Sequence, residues 1–529
     1  MKRRSHLRLP HESRGFLGEN NADGVTDPIF QAGALREMRN YHMVGRGRLQ
    51  KRQGWTPYVT ATPNSANPIQ SLVHFQFGNT NHLLAHCAGG IYQLDGTSWT
   101  ARTGSLSLSA SADRHMRTTT FYDGNHNYII GTDNNGNPWY WNGSGNVSAM
   151  PTITVASDVA TFKEHVFAIN VPNGQTMVRY SDAGLVSTWP DEHYFHCTRD
   201  SHGVALANHS SEALLALHRR SIHAIKFNYG ASGALASFFT TQIVDGSTGC
   251  AARGSVVTSK GRTYFADDDG IYVVGDPSRP ARYISRPIEG FWANLNKSRI
   301  SEMVGFSRGE PWSEICWLVS TSTSSELNAV IVFNPSMAAL YGDENGWSIF
   351  ESMAHKLKFQ AATNYQDANK VNHTLMGTYD GKIVKAFGSS DNTTEYTDGY
   401  IDASTTGEPV QTSLITGFMD LGYEGVKGLR ETWLDLDLAT SKTFALSVAG
   451  LEEELVTTSE TTVSTTGALL GSFMLDEDYL VSAATAQEQF QTEGTSRYFQ
   501  FTLSENDTGQ PHTVTGIHFL YSPRGMRIR

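Results

Sequence analysis

Short runs of carboxylates are the first places in this sequence where residue types and spacing could support chemistry. The run ADDDG at 266–270 sets three acids side by side, the composition of a glycosidase acid pair or of a metal site. Successive residues of a strand point to opposite faces, so adjacent carboxylates there do not converge. Asp269-Gly270 predicts a hairpin turn instead, with Asp267 and Asp268 as its solvated flanks. We therefore expect neither hydrolysis nor metal binding at this run.

Two further polar stretches also indicate turns. TDNNGN at 132–137 has the oxygen ligands of a calcium loop, but it lacks the glutamate that closes an EF-hand. RYSDAGLVSTW at 179–189 resembles the Asp-box of sialidases, although the spacing differs at both ends. Because an Asp-box stabilises a hairpin turn, a turn is predicted here too.

The histidines do not have the spacing of a metal-ligand set. His193 and His196 would face opposite sides of a strand, whereas His82 and His86 share one face of the strand HLLAHCA. We interpret all four as core or surface residues. The chain has neither the P-loop pattern G-x-x-x-x-G-K-[ST] nor the nucleophile elbow G-x-S-x-G. These observations predict a protein without a catalytic site, a metal or a cofactor.

Charge is distributed unevenly along the 529 residues. The formal net charge is -11, yet residues 1–55 hold 11 Lys and Arg against 5 Asp and Glu. Four of these cations lie in GRGRLQKRQGW at 45–55, together with three glycines. The remaining residues carry a balance of -17, so the body should repel nucleic acid while the head attracts an anionic partner. For residues 1–14 alone, a solvated basic tail is an equally good explanation.

The elements that position these residues are predicted to be almost entirely strands. Hydrophobic residues make up 39% of the chain, and 49 glycines against 17 prolines favour short strands with tight turns. Units of about 45 residues, bounded by Asn-Gly and Asp-Gly pairs, match the blades of a β-propeller. Six blades are the favoured number and seven the alternative, because the last stretch either completes the sixth unit or forms a seventh. The alternating apolar stretches are 71–102, 118–142, 160–189, 213–244, 255–285, 315–352 and 359–387.

The sequence pattern changes near residue 395, and this change divides the all-β chain into domains. We predict an N-terminal arm and docking segment at 1–68, a β-propeller at 69–394 and a C-terminal β-sandwich at 395–529. Short helices are predicted only at 31–43 and 291–296.

The cysteines and the hydropathy pattern suggest where the chain works. The cysteines have the spacing of neither a disulfide framework nor a zinc site, so buried thiols in a reducing cytosol are expected. They are Cys87, Cys197, Cys250 and Cys316. No stretch approaches the roughly 18 apolar residues of a membrane span, which predicts a protein without one.

The basic stretch belongs to a longer pattern. LREMRNYHMVGRGRLQKRQGW at 35–55 contains Arg-Asn, then six residues, then G-x-L-x-x-R-x-G. It resembles the N-terminal signature of the propeller-bearing tail nozzle proteins (tail hub or tail tubular B proteins) of short-tailed bacteriophages, the podoviruses. In that family an Asn, a Gly and an Arg-Pro-Gly or Arg-x-Gly turn precede the first blade, and Gln53 stands here where proline is commoner. The signature and interface residues that the resemblance indicates are Arg39, Asn40, Arg46, Gly47, Arg48, Leu49, Lys51, Arg52, Gly54 and Trp55.

The resemblance continues through about four-fifths of the chain. RYSDAGLVSTW at 179–189 is similar to the end of a middle blade, and TTQIVDG to GIYVV at 240–274 to the blades after it. GFMDLGYEGVKGLRETWLDL at 417–436 is similar to the C-terminal strand pair of the family.

Membership of this family implies a virion structural protein and no catalysis. The nozzle is commonly a hexameric ring below the portal and adaptor, assembled in the host bacterial cytoplasm as part of the tail. It extends the channel through which double-stranded DNA leaves during genome ejection, and fibres or spikes dock around it. An acidic body suits such a conduit, because DNA should pass without being held.

Several alternatives stay open at this point. Arg46, Arg48, Lys51 and Arg52 are expected to pair with carboxylates of the adaptor or of an adjacent subunit; in the alternative interpretation, Arg52 only holds a turn of the propeller. A polysaccharide-degrading propeller would need two carboxylates about 5 to 9 Å apart. A sugar-binding propeller would expose tryptophans such as Trp139 and Trp141.

Overall fold

The structure is a computed structural model of the chain. It describes residues 5–9, 16–21, 34–45, 47–111, 114–150, 152–172, 174–197, 201–230, 238–309, 312–342, 345–351, 358–386, 397–398, 408–421, 423, 425–438, 441–451, 457–463, 484–507 and 512–523.

The first strands of the chain are shared between two structural units, the propeller and the C-terminal sandwich. They are β1 (Ser5–Leu9), β2 (Gly18–Glu19), β3 (Ala34–Arg39), β4 (Tyr41–Val44), β5 (Arg48–Lys51) and β6 (Trp55–Val59). Strands β1, β4 and β5 join a sheet of the C-terminal half, whereas β6 joins the last blade of the propeller. The predicted segment 1–68 is therefore distributed over two structural units.

Five four-stranded antiparallel blades follow in sequence order, each with its first strand innermost. The first two are β7 (Ile69–Phe77), β8 (Thr80–Cys87), β9 (Gly90–Asp95) and β10 (Ser98–Ala101), then β11 (Arg117–Tyr122), β12 (Asn127–Thr132), β13 (Trp139–Trp141) and β14 (Ser148–Ala149). The third and fourth are β15 (Asp158–Phe162), β16 (His165–Val171), β17 (Gly174–Tyr180) and β18 (Tyr194–His196), then β19 (Gly203–Ser210), β20 (Ala213–His218), β21 (Ile222–Phe227) and β22 (Phe239–Asp245). The fifth is β23 (Val257–Ser259), β24 (Arg262–Ala266), β25 (Ile271–Val274) and β26 (Arg282–Tyr283).

Two further four-stranded units close the ring. The first is the meander β27 (Val304–Ser307), β28 (Ile315–Val319), β29 (Ala329–Phe333) and β30 (Trp347–Glu351). The second, the last blade, is β31 (Phe359–Gln366), β32 (Asn372–Thr378) and β33 (Ile383–Ala386), with β6 as its outer strand. β27 packs between β23 and β31, and β31 packs on β7 of the first blade.

The propeller prediction is confirmed, and the blade number has a physical explanation. Six of the units are sheets of their own, which is the favoured number. The meander β27–β30 occupies a seventh place in the ring, but its sheet continues into the C-terminal half. The apolar clusters lie between neighbouring units, as where Val73 and Phe75 of the first blade meet Trp139 and Trp141 of the second.

β6 closes the ring by pairing the N-terminal segment with the end of the propeller. Trp55 lies opposite Ala386 and Val59 opposite Ile383 in an antiparallel ladder. The Trp55 ring is buried edge-on against Phe359, with 5.1 Å between ring centroids. The last blade therefore depends on a strand from the other end of the chain.

The C-terminal half is a two-sheet sandwich whose strands come from both ends of the chain. A separate two-stranded sheet, β34 (Thr397–Asp398) and β35 (Glu408–Pro409), comes first. The sandwich's own strands are β36 (Thr412–Thr416), β37 (Lys427–Leu438), β38 (Lys442–Gly450), β39 (Thr457–Val463), β40 (Ala484–Ser496), β41 (Phe499–Glu505) and β42 (His512–Pro523). One sheet runs β4-β5-β42-β37-β40, with β1 on β42. The other continues the meander as β30-β3-β36-β41-β38-β39, with β2 on β3, and one apolar cluster fills the space between the two sheets.

Of the two predicted helices one forms and one does not, and a further helix forms that was not predicted. Helix α1 (Glu289–Ala293) overlaps the prediction at 291–296 in its last three residues, starting two residues earlier and ending at the C-cap Asn294. The predicted helix at 31–43 is wrong, because β3 and β4 occupy its described part and pairing with β30 and β36 overrides the local helix propensity. Helix α2 (Pro335–Tyr341) was not predicted, although Asn334 as N-cap followed by Pro335 is a recognisable start signal.

The cysteines are free thiols, and Cys87, Cys250 and Cys316 are buried. Among the described residues, no helix has the length and apolar character needed to cross a membrane.

Candidate functional site

Asn40 is the centre of the signature that the sequence singled out. It lies buried between β3 and β4 with φ of 64°, a left-handed conformation that Asn tolerates better than most side chains. Its Nδ2 donates to the carbonyl oxygens of Glu351 at 2.8 Å and Gln411 at 2.6 Å. Its Oδ1 accepts from the Arg52 Nε at 2.6 Å and from the Glu351 backbone N–H at 3.0 Å. One amide therefore ties the meander, the sandwich and Arg52 together.

Arg52 completes this contact between the propeller and the sandwich, which we call the joint, from inside the fold. Its side chain is fully buried, and its backbone N–H donates to the Asn40 carbonyl at 2.9 Å. The guanidinium also donates to the Gln53 carbonyl at 3.1 Å and lies 5.6 Å from the centre of the Trp55 ring. Arg52 thus holds a turn of its own chain, the second of the two interpretations that the sequence allowed.

Lys51 is likewise buried and bonded within the chain. Its Nζ donates to the Glu505 Oε2 at 2.7 Å and to the Asp507 carbonyl at 2.8 Å. Lys442 approaches the same carboxylate at 3.5 Å. Burial lowers the pKa of Lys51, and the Glu505 carboxylate acts against that shift. The pair locks β5 to β41 across the sandwich.

Arg39, at the end of β3, bridges three acids. Its guanidinium binds the buried Glu19 carboxylate, contacts Glu351 at 3.0 Å and lies 3.8 Å from Glu37. Burial raises the pKa of Glu19 to about 7, and Arg39 opposes that rise. A further buried pair, Arg308 and Glu314 at 2.8 Å, lies at the same joint, because the Glu314 Oε1 is 2.9 Å from the His42 Nδ1 of β4.

The rest of the signature divides into buried and exposed positions. Gly47, Leu49 and Gly54 are buried, and Gly47 has φ of 82°. The Arg48 side chain is 55% exposed and lies 3.7 Å from Asp437. Arg46 falls outside the described residues. Of the four cations proposed to reach another chain, Arg48 is thus the one that the structure describes at the surface.

The other polar stretches form turns, as predicted. Asp133 accepts hydrogen bonds from the backbone N–H groups of Ser109, Asn135 and Gly136. The prediction of solvated flanks at the ADDDG run needs correction, because Arg219 binds both Asp267, at 2.8 Å, and Asp268.

No group of three metal-ligating side chains occurs within the described ranges. Trp139 and Trp141 are buried between blades, so the interpretation in which they stack on sugars is wrong.

Sequence reasoning missed the axis of the propeller. A cavity of about 220 Å³ lies among the innermost strands, and a second of about 420 Å³ lies where those strands begin. Arg253, in a 3-10 turn before β23, donates from Nη1 to the Ser157 carbonyl at 2.6 Å and from Nη2 to the His115 carbonyl. Ser157 and His115 precede β15 and β11, so this side chain reaches from the fifth blade to the third and second. No sequence pattern indicates that an isolated Arg between two strands contacts two other blades.

The comparisons with solved structures found chains of 8 to 12% identity, with TM-scores of 0.37 to 0.39. No protein-family model and no curated protein matches the chain. The extracellular domain of the hybrid two-component system BT3049 from B. thetaiotaomicron is 10% identical, with a TM-score of 0.39 over 66% of this chain and 45% of its own. YCF48 bound to D1 peptide is 12% identical (TM-score 0.37; 64% and 96% covered), and Saccharomyces cerevisiae Sqt1 is 8% identical (TM-score 0.37; 63% and 98%). The chain thus spans less than half of the first of these proteins, and none of these similarities informs its function.

Proposed function

We propose that the chain is a structural subunit of a bacteriophage tail nozzle, which surrounds the DNA exit channel and docks to the adaptor and to fibres or spikes. The observation that supports this most strongly is the joint around Asn40. Asn40 and Arg52, two residues of the N-terminal signature, are hydrogen-bonded to each other, and Trp55 packs beside them. The residues that carry the family resemblance therefore act as one structural unit, the joint between propeller and sandwich.

In this proposal DNA passes between copies of the chain and not along the propeller axis. The axial cavities are about 220 and 420 Å³, and the Arg253 side chain spans the axis beside them. A duplex, whose major groove alone is about 12 Å wide, does not fit there. A ring of several copies, a hexamer in the family, supplies the wider passage. Six copies would carry a formal charge of -66, which disfavours phosphate binding.

Reconstitution on adaptor-bearing capsids that lack a nozzle tests the proposal. The purified chain should form a ring on the adaptor in negative-stain images. Arg48→Glu should weaken docking, because it reverses an exposed charge of the basic stretch. Arg279→Glu is the matched control, since Arg279 is 83% exposed on the fifth blade, outside that stretch.

Two outcomes would overturn the proposal. One is a chain that stays monomeric and unbound in the presence of such capsids. The other is turnover of a polysaccharide that disappears when a single Asp or Glu is replaced, which would assign the chain to the degrading class.

A further inference from the structure

The Asn-Gly pairs in the turns of this chain are chemically reactive groups as well as structural ones. The backbone nitrogen of the glycine can attack the side-chain carbonyl of the asparagine, because glycine has no side chain to hinder the approach. Three such pairs lie wholly among the described residues: Asn135-Gly136, Asn142-Gly143 and Asn345-Gly346. The reaction needs a free glycine N–H, a side-chain amide that can leave and access for solvent. The three pairs differ in these features.

The pair Asn345-Gly346 is held by the fold on both sides of the reacting bond. Asn345 is 7% exposed, and its Nδ2 donates to the Tyr341 carbonyl at 2.8 Å and to the Gly342 carbonyl at 3.3 Å. The Gly346 N–H donates to the Leu17 carbonyl at 2.9 Å. Because the attacking nitrogen and the leaving amide are both bonded, we expect this pair to be unreactive in the folded chain.

The pair Asn135-Gly136 is open to solvent, but its attacking nitrogen is not free. The Gly136 N–H donates to the Asp133 Oδ1 at 3.2 Å. The glycine nitrogen must lose its proton before it attacks, and a neighbouring carboxylate disfavours the resulting negative charge. A Cβ at Gly136 would lie 2.4 Å from the Ser107 carbonyl oxygen, so this turn is also closely packed. Exposure alone therefore does not make Asn135 reactive.

The pair Asn142-Gly143 lies in the loop between β13 and β14 and is partly exposed. Within the described part of the chain, neither the Gly143 N–H nor the Asn142 Nδ2 donates a hydrogen bond to another residue. The Asn142 Oδ1 accepts from the Ser144 N–H at 3.2 Å and from the Ser144 Oγ–H at 3.0 Å. These two donors polarise the side-chain carbonyl and stabilise the negative oxygen that forms when it is attacked.

A buried side chain holds the Ser144 donors in place. Trp141, which is 2% exposed, donates from Nε1 to the Ser144 carbonyl at 3.0 Å and to the Gly145 carbonyl at 3.1 Å. The loop is therefore anchored next to Asn142, so that the donors do not have to be ordered during the reaction.

We propose that Asn142 is a site of spontaneous deamidation in the folded protein and the first of the three pairs to react. The Gly143 nitrogen gives its proton to a solvent base and bonds to the Asn142 Cγ, and the side-chain nitrogen leaves as ammonia after regaining a proton. Water then opens the succinimide ring at either carbonyl and yields aspartate or isoaspartate. Overall, one water is consumed and one ammonia is released.

The product carries one more negative charge than Asn142, and isoaspartate also adds a methylene group to the main chain. The site does not depend on the proposed nozzle function, because it lies within one blade.

Incubation of the folded full chain at mildly alkaline pH, followed by peptide mapping with mass spectrometry, tests this site. Conversion at Asn142 should be at least about tenfold faster than at Asn135 or Asn345, a difference of about 1.4 kcal/mol in the barrier. Synthetic peptides with the three sequences provide the unfolded reference, in which all three pairs should react at similar rates.

Ser144→Ala removes the hydroxyl donor and should slow conversion at Asn142 by about two- to tenfold, the effect of one hydrogen bond. Ser148→Ala is the matched control, since Ser148 is exposed on β14 and should leave the rate unchanged. The proposal is overturned if Asn135 or Asn345 reacts as fast as Asn142 in the folded chain. It is also overturned if Asn142 stays intact while its peptide is converted, or if Ser144→Ala reacts at the original rate.

Discussion

The joint between propeller and sandwich and the axis of the propeller hold buried positive charge in different ways. At the joint, Lys51 meets Glu505 and Arg308 meets Glu314, both at less than 3 Å. On the axis, the Arg253 side chain donates to two backbone carbonyls, and the side chain of Arg114, which lines the larger axial cavity, has no acid partner among the described residues. A buried cation with its own carboxylate is bound into the fold by that pair, whereas Arg253 is held by carbonyl groups and its charge is balanced less directly by the Asp158 and Asp133 carboxylates. In the basic stretch that looked like a docking surface in sequence, Lys51 is of the first kind.

The largest expected effect comes from breaking a matched pair. Lys51→Met keeps the length of the side chain but leaves Glu505 without its nearest cation. Removing one partner of a buried pair typically costs about 3–5 kcal/mol, and Lys442 at 3.5 Å keeps the expected loss near the lower end, about 3 kcal/mol. Urea unfolding measures this change.

A double-mutant cycle separates the pair from simple packing. Lys51→Met combined with Glu505→Gln should lose less than the sum of the two single changes. Additive losses would mean that the pair does not lock β5 to β41, and the contrast between joint and axis would fail.

The hydrogen-bonded turn at Asn40 should rank next. Asn40→Ala strains a residue at φ of 64° and leaves the Arg52 Nε and two carbonyls without their partner, a loss of about 2–3 kcal/mol. Asn40→Gly relieves the strain and should recover about 1 kcal/mol of the unfolding free energy. Equal stability of the two variants would show that backbone conformation contributes nothing here.

The first blade should respond to acid through His86 in β8. Burial lowers the pKa of His86 to about 4, so the folded chain excludes a proton that the unfolded chain binds below pH 6.5. Stability is therefore present above that value and lost as the pH falls, by roughly 2 kcal/mol at pH 5 for this residue. His86→Gln should lose less unfolding free energy between pH 7 and pH 5 than the unchanged protein. An identical pH dependence in the variant would contradict burial as the cause.

The smallest effect is expected for unmatched cations. Arg114→Gln and Arg48→Gln should each change the free energy of unfolding by less than about 0.5 kcal/mol, because Arg114 has no described acid partner and Arg48 lies exposed 3.7 Å from Asp437. Denaturant melts of the two variants check this. A loss above about 1 kcal/mol for Arg114→Gln would show that the axial cation is structural.

Local patterns in the sequence predicted most of the propeller. Each hairpin combines alternating apolar residues with a turn signal close by, as at Asp269-Gly270, and the predicted stretches overlap the blades or units that formed. Strands β14, β18, β19 and β27 lie outside the predicted stretches. The outer strand of the last blade, β6, lies more than 300 residues away in sequence from the strands it joins. Pairing over such a distance leaves no local pattern.

The candidate site shows the same limit. The spacing of Asn40 and Arg52 was recognisable, but their burial depends on Glu351 and Gln411, which arrive from distant strands. The charge of the basic stretch suggested an outside partner, while the acids that bind Lys51 and Arg39 lie at Glu505 and Glu19. The composition of the sequence gives the number of charged residues, but it does not show which of them form ion pairs in the folded chain.

Cryo-electron microscopy of the virion that contains this chain tests the central claim most directly. The account predicts a closed ring of copies around the DNA exit channel directly below the adaptor, with the propeller axes outside the DNA path. Density that places the chain away from that channel, or that carries DNA through a single propeller, would contradict it.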